Sequence, residues 1–152
     1  MPYDKKAKDT DLDEIVILAL ELWPENTQED LTQEMSEILH NAESAFFLAY
    51  DGSSPVGFAQ CQLRHDYVEG TDSSPVGYLE GIYVRAPYRR QGYARQLLDA
   101  CEAWAASMNC TEFASDCGVD NLLSQSFHHH TGFIEAGRIV CFTKKISRKE
   151  HA

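Results

Sequence analysis

An α/β fold, with a mixed sheet flanked by helices, is what the sequence predicts, and three observations carry it. Apolar residues recur at helical spacing in some stretches and alternate in others, the two periods that separate amphipathic helices from half-buried strands. The stretches follow the order strand, helix, helix, three strands, helix, strand, helix and two strands, which suits a sheet covered by helices. No linker interrupts the 152 residues, 43% of them hydrophobic, so one core is expected. Residues 1–146 are read as a single domain and 147–152 as a frayed tail.

Residues 3–8 suit a short first strand. Leu12, Ile15, Val16, Ala19, Leu20 and Trp23 then mark one helix face, and Pro24 stops that helix. A second helix is expected over 28–40, with Leu31, Met35, Ile38 and Leu39 inward and Thr27 as N-cap ahead of the acidic first turn. AFFLAY at 45–50 reads as a strand, DGSSP at 51–55 as a turn, and VGFAQCQLRHDY as a longer strand. The pentapeptide SSPVG at 53–57 recurs at 73–77 and is read as one strand-entry device used twice. A loop at 66–75 leads to the strand Val76–Val84.

The period then changes. Ala94, Leu97, Leu98, Cys101, Trp104, Ala105 and Met108 define a helix face, followed by a strand at 111–117 and a shorter helix at 121–130. Alternation in FIEAGRIVCFTKKI predicts a final hairpin turning near Ala136 and Gly137.

Composition narrows the function. Thirteen Lys and Arg against 24 Asp and Glu give a net charge of −11, a poor balance for neutralising phosphates, so no nucleic acid partner is expected and a cationic small molecule fits better. The acid is concentrated: twelve carboxylates and no Lys or Arg lie from Asp9 to Leu63. Residues 81–98 reverse this, with Arg85, Arg89, Arg90 and Arg95 and no carboxylate. The five cysteines, odd in number and without CxxC spacing, suggest small core residues rather than disulfides or a zinc site. Charges in the opening residues and the lack of a long apolar run make a cytoplasmic protein without membrane association the expectation.

The chemistry concentrates in LEGIYVRAPYRRQGYARQLL, residues 79–98. Arg89, Arg90, Gln91, Gly92, Tyr93 and Ala94 fall between a strand and a helix, where a glycine lets backbone approach a ligand and first-turn N–H groups lack partners. Such a turn suits a pyrophosphate, with the arginines adding charge-assisted contacts. It matches neither G-x-G-x-x-G nor GxxxxGK[ST]. His128, His129 and His130 are adjacent on a helix and point about 100° apart, so no metal is expected there.

Arg89, Gly92 and Ala94 match the R/Q-x-x-G-x-A/G cofactor motif of the GNAT (GCN5-related N-acetyltransferase) superfamily, and the following helix and NLLSQSFHHHTGF extend the resemblance. WPENTQEDLTQEM at 23–35, RHDYVEGTDSSPVGYLEGIYV at 64–84 and ASDCGVDNLLSQSFHHHTGF at 114–133 are similar to aminoglycoside 6'-N-acetyltransferases. That resemblance implies the acetyltransferase fold, acetyl-CoA as donor, an aminoglycoside 6'-amine as acceptor and a homodimer. It implies that Ile82, Tyr83 and Val84 face the pantetheine and acetyl group, that Gln91 to Ala94 hold the pyrophosphate, and that Asn121 contacts the cofactor arm. It assigns the acceptor to Trp23, Tyr67, Glu80 and Asp116. His128 stands where many members carry a tyrosine acting as acid toward the thiolate.

The reaction itself asks for a carboxylate. A protonated amine must lose its proton before it attacks a thioester, so Glu80 is the first candidate base and Asp116 the second. An inward carboxylate on the strand at Glu80 must be solvated or paired. Trp23 is as well explained by packing as by sugar contact, and Asp116 by capping a turn. Two other readings stay open: an acetyltransferase acting on a polyamine, peptide or other amine, and a noncatalytic acidic binding module.

Overall fold

In the computed structural model, residues 2–148 are described. β1 (Pro2–Lys6) and a 3-10 turn lead into α1 (Leu12–Leu22) and α2 (Gln28–Leu39), followed by β2 (Ser44–Asp51), β3 (Ser54–Arg64) and β4 (Val76–Val84). A second 3-10 turn precedes α3 (Tyr93–Ser107), β5 (Phe113–Ser115) and α4 (Leu122–His130). The sheet runs in the order β1-β2-β3-β4-β5, antiparallel as far as β4 and parallel between β4 and β5. The mixed α/β architecture is therefore as expected.

Strand alternation sorts side chains to the two sheet faces. Phe46, Leu48, Tyr50 and Phe58 pack with Ile15, Val16, Leu18 and Ala19 of α1 and with Leu31 and Met35 of α2. Ala45, Phe47, Ala49, Val56, Ala59 and Cys61 pack on the other face with Leu97, Leu98, Cys101, Trp104 and Ala105 of α3. α2 begins where Thr27 accepts the Asp30 N–H at 3.1 Å, the expected cap. Both SSPVG copies enter strands, β3 and β4.

The predicted final hairpin does not form: residues 133–148 carry no regular structure, and Ile139, Val140, Phe142 and Ile146 are exposed. Its beginning is anchored, by Phe133 against the rings of Phe113 and His128 and by Ala136 and Gly137 beside Gly70 and Glu69. A two-stranded hairpin is marginal without a face to lie on, and among the described residues these strands have none. Cys61 and Cys101 are buried as expected, but Cys141 lies exposed on this arm, and Cys110 and Cys117 are half-buried. Of the tail expected at 147–152, residues 149–152 lie outside the described residues. No helix among the described residues is long and apolar enough to cross a membrane.

Candidate active site

The pairing of β3 with β4 breaks at one residue. Gln60 faces Gly81 and Cys61 faces Leu79, so Glu80 is the extra residue of a β-bulge. Alternation reverses there: Leu79 packs on the α3 side, whereas Gly81 lies against the indole of Trp23 on the α1 side. Glu80 thereby opens into a cleft of about 300 Å³ lined by Trp23, Leu31 and Gln60, with the exposed Glu25, Asn26 and Glu34. A wider groove of about 700 Å³ along α2 holds none of the sequence-predicted site residues and no cationic side chain.

Glu80 is paired rather than free. Nε and Nη2 of Arg64, at the end of β3, donate to its two oxygens at 3.0 and 2.8 Å. The guanidinium also lies 3.4 Å from the centre of the Tyr78 ring. The Tyr78 hydroxyl donates to Asp116, just past β5. Burial first, then that carboxylate, pushes the Tyr78 hydroxyl well above the ordinary phenol range, so it remains a donor. The hydrogen bonds to Glu80, opposed by burial and assisted by the charges of Glu80 and Asp116, hold Arg64 firmly protonated. Glu80 and Asp116 thus join one network through Arg64 and Tyr78, two residues that sequence reasoning missed. Arg64 carried a signal, as the first cation after a carboxylate-rich stretch devoid of Lys and Arg. Tyr67, in the 65–75 loop, is exposed and does not line the cleft.

Beyond β4 the chain turns into α3. Gly92, the N-cap, has φ of 91°, and Arg90 has φ of 63°, both left-handed. A side-chain carbon on Gly92 would meet nothing within 4 Å, so the open ground above the first-turn N–H groups of α3 is accessible to a ligand. Arg89, itself exposed, donates from Nε to the Val84 carbonyl at 2.8 Å, which fastens the turn to the strand end. Gln91 likewise bonds the Pro87 carbonyl at 3.2 Å, and Tyr93 is buried against Tyr88. Ala94 packs against the α3-side core, leaving the backbone at 91–94 and the exposed Arg89 and Arg90 as the available donors. One turn on, the side-chain oxygen of Gln96 is buried without a partner. An exposed N-terminal turn with a left-handed glycine and a neighbouring cation fits a pyrophosphate-bearing ligand.

The three β4 residues expected at the cofactor divide. Ile82 and Val84 send their side chains to the α3 side, while the Tyr83 hydroxyl donates to Glu21 of α1 at 2.9 Å. Glu21 also accepts from Arg85, which with Tyr83 holds its carboxyl below the usual range despite partial burial.

On α4, Asn121 serves as N-cap, its side-chain oxygen accepting the Ser124 N–H at 3.1 Å. His128 bridges α4 to β5: Nδ1 lies 2.6 Å from the Ser124 carbonyl and Nε2 lies 2.8 Å from the Ser115 hydroxyl. A carbonyl only accepts, so the tautomer that satisfies both contacts carries its proton on Nδ1 and takes the serine proton at Nε2. His130 turns instead to the Ser126 carbonyl at 2.8 Å. Among the described residues no three His, Cys, Asp or Glu side chains gather as metal ligands.

Comparison with known proteins bears on this geometry. The model of the acetyltransferase (GNAT) family matches residues 12–133. An aminoglycoside N(6')-acetyltransferase type 1 of Acinetobacter haemolyticus is 39% identical over 142 residues, covering 93% of this chain and 97% of that one. The enzyme of the same name from Stenotrophomonas maltophilia is 46% identical over 127 residues, covering 82% and 81%. Among solved structures, AAC(6')-Iy in complex with the bisubstrate analogue CoA-S-monomethyl-acetylneamine superposes with a TM-score of 0.92 at 36% identity, covering 96% of this chain and 99% of that one.

Proposed function

The chain belongs to the acetyltransferase (GNAT) family, and on that premise we propose that it transfers acetyl from acetyl-CoA to the 6'-amine of an aminoglycoside. The observation that carries the acceptor side is the acidic cleft at the β4 bulge, where Glu80, Glu25 and Glu34 surround an indole. Several carboxylates beside an apolar ring suit a polycationic sugar, which offers ammonium groups and a carbohydrate face together. The relatives named above, at 39% and 46% identity, support the same acceptor class.

Acetyl-CoA supplies an activated acyl group as its thioester. Backbone N–H groups at 91–94 bind its pyrophosphate, with Arg90 adding charge, while Arg89 acts indirectly by fixing the turn to Val84. Glu80, directly or through water, accepts the proton of the 6'-ammonium, and the free amine then attacks the carbonyl carbon of the thioester. The new C–N bond forms, the C–S bond breaks, the acylated nitrogen gives up its surplus proton to water, and the CoA thiolate takes up a proton from solvent. A thiol is acidic enough to leave without a dedicated acid, and His128 spends both ring nitrogens on Ser124 and Ser115. Asp116 attracts a further ammonium of the acceptor. None of the cysteines is needed for direct transfer.

The protein acts in the cytoplasm as a homodimer, its exposed apolar arm at 138–148 covered by a second copy.

The test is acetyl-CoA-dependent thiol release with kanamycin, tobramycin, a kanamycin analogue lacking the 6'-amine, spermidine and a peptide amine. Turnover of the first two but not of the analogue is expected. Preference for spermidine or the peptide would overturn the acceptor assignment, and acetyl-CoA binding without turnover of any amine would overturn the activity.

A further inference from the structure

Resting on the acceptor site just proposed, we infer that Arg64 is an internal stand-in for the acceptor's ammonium group, and that every acceptor must displace it from Glu80 at a cost in affinity common to all. The Arg64 guanidinium grips both oxygens of Glu80 and lies flat against the Tyr78 ring, whose hydroxyl holds Asp116. A cation position between two carboxylates is thus already filled from within the chain. The filling has a physical cause: the Glu80 side chain is only 18% exposed, and a carboxylate so withdrawn from water requires a partner. Arg64 itself is 38% exposed at the last residue of β3, so solvent is at hand to receive it when it lets go.

An incoming ammonium that takes Glu80 from Arg64 exchanges one charge-assisted pair for another, a nearly neutral trade. A monoamine gains nothing more. A polyamine also reaches Glu25 and Glu34, which pair with no Lys or Arg among the described residues and stand at the same cleft. Arg64 therefore sets acceptor affinity rather than preference: it imposes the same penalty on every acceptor, and Glu25 and Glu34 supply the separate advantage of a polycation.

The experiment compares kcat and KM of the full chain and of Arg64→Gln and Arg64→Lys for kanamycin and for a methyl glucoside bearing a single 6-amine. Arg64→Gln should lower KM for both acceptors by a similar factor, roughly threefold to tenfold, while Arg64→Lys should keep both near the wild-type values. KM for acetyl-CoA should not move. An acceptor KM that stays unchanged or rises in Arg64→Gln, with the wild-type protein active, would overturn this inference alone. A wild-type protein that binds acetyl-CoA but acetylates neither amine would overturn the functional reading on which it rests. The wild-type complex with CoA and kanamycin gives a check that needs no variant: the guanidinium should stand more than about 4 Å from Glu80. A retained two-bond pair would refute displacement.

Discussion

The outer edge of the Trp23 indole lies 2.9 Å from the point that a side-chain carbon on Gly81 would occupy. The ring is held from beneath by Phe58, with centroids 6.0 Å apart in an edge-on arrangement. Gly81 is therefore the space into which the wall of the cleft fits. Gly81→Ala should push the indole into the cleft, destabilise the protein by about 1–3 kcal/mol and raise the acceptor KM, with no change in KM for acetyl-CoA. Tryptophan fluorescence and steady-state kinetics check this. An unmoved emission maximum with an unmoved acceptor KM would show that the ring plays no part in acceptor binding.

Glu80→Gln separates proton removal from charge recognition. As the proton acceptor, Glu80 should account for roughly 10²-fold to 10⁴-fold in kcat, and the deficit should shrink as pH rises because more of the acceptor arrives as free amine. A purely electrostatic role would instead appear as a higher acceptor KM with kcat and its pH profile intact. Initial rates across pH at saturating acetyl-CoA distinguish the two outcomes.

Asp11 gives a stability prediction remote from the site. Its buried carboxylate accepts the Lys8 N–H at 2.8 Å and the Lys5 ammonium at 3.0 Å. Burial alone would raise its pKa, but the Lys8 amide and the Lys5 charge together outweigh this and hold it below 3.8. A lowered folded-state value means that the contribution is complete above the unfolded value and is lost as pH falls through the folded one. Asp11→Asn should cost about 1–2 kcal/mol at neutral pH, and the gap should close as pH falls below 3.8. Urea unfolding at neutral and acid pH measures it, and a gap of equal size at both would assign the loss to shape rather than charge.

The fold was largely legible because its signals are local. The Thr27 cap, the stripe from Leu97 to Ala105 and the apolar run from Ala45 to Tyr50 each depend on residues close in sequence. The candidate site was legible where it rests on a turn, as at Gly92, whose left-handed φ demands glycine. It was illegible where two strands meet. The bulge at Glu80 exists only in the pairing of β4 with β3, and it places Gly81 on the face that simple alternation from Leu79 denies it. Arg64 and Glu80 are 16 residues apart on different strands, so their partnership has no sequence period to announce it. The final hairpin failed for a related reason: alternation shows that a segment is built to cover a face, not whose face it covers.

That last point makes the arm a test of assembly. Ile139, Val140, Phe142 and Ile146 are each at least 78% exposed, a density of large apolar groups that water does not favour on a finished surface. β5 is three residues long and pairs with β4 on one side alone, leaving a sheet edge beside which an extended segment can lie. A second copy offers the same arm and the same edge, so one twofold arrangement satisfies both surfaces at once. Light scattering coupled to gel filtration should find the full chain dimeric at micromolar concentration, and truncation after residue 137 should give a monomer. A full chain that is monomeric at tens of micromolar, or a truncated one that stays dimeric, would remove the arm from the interface.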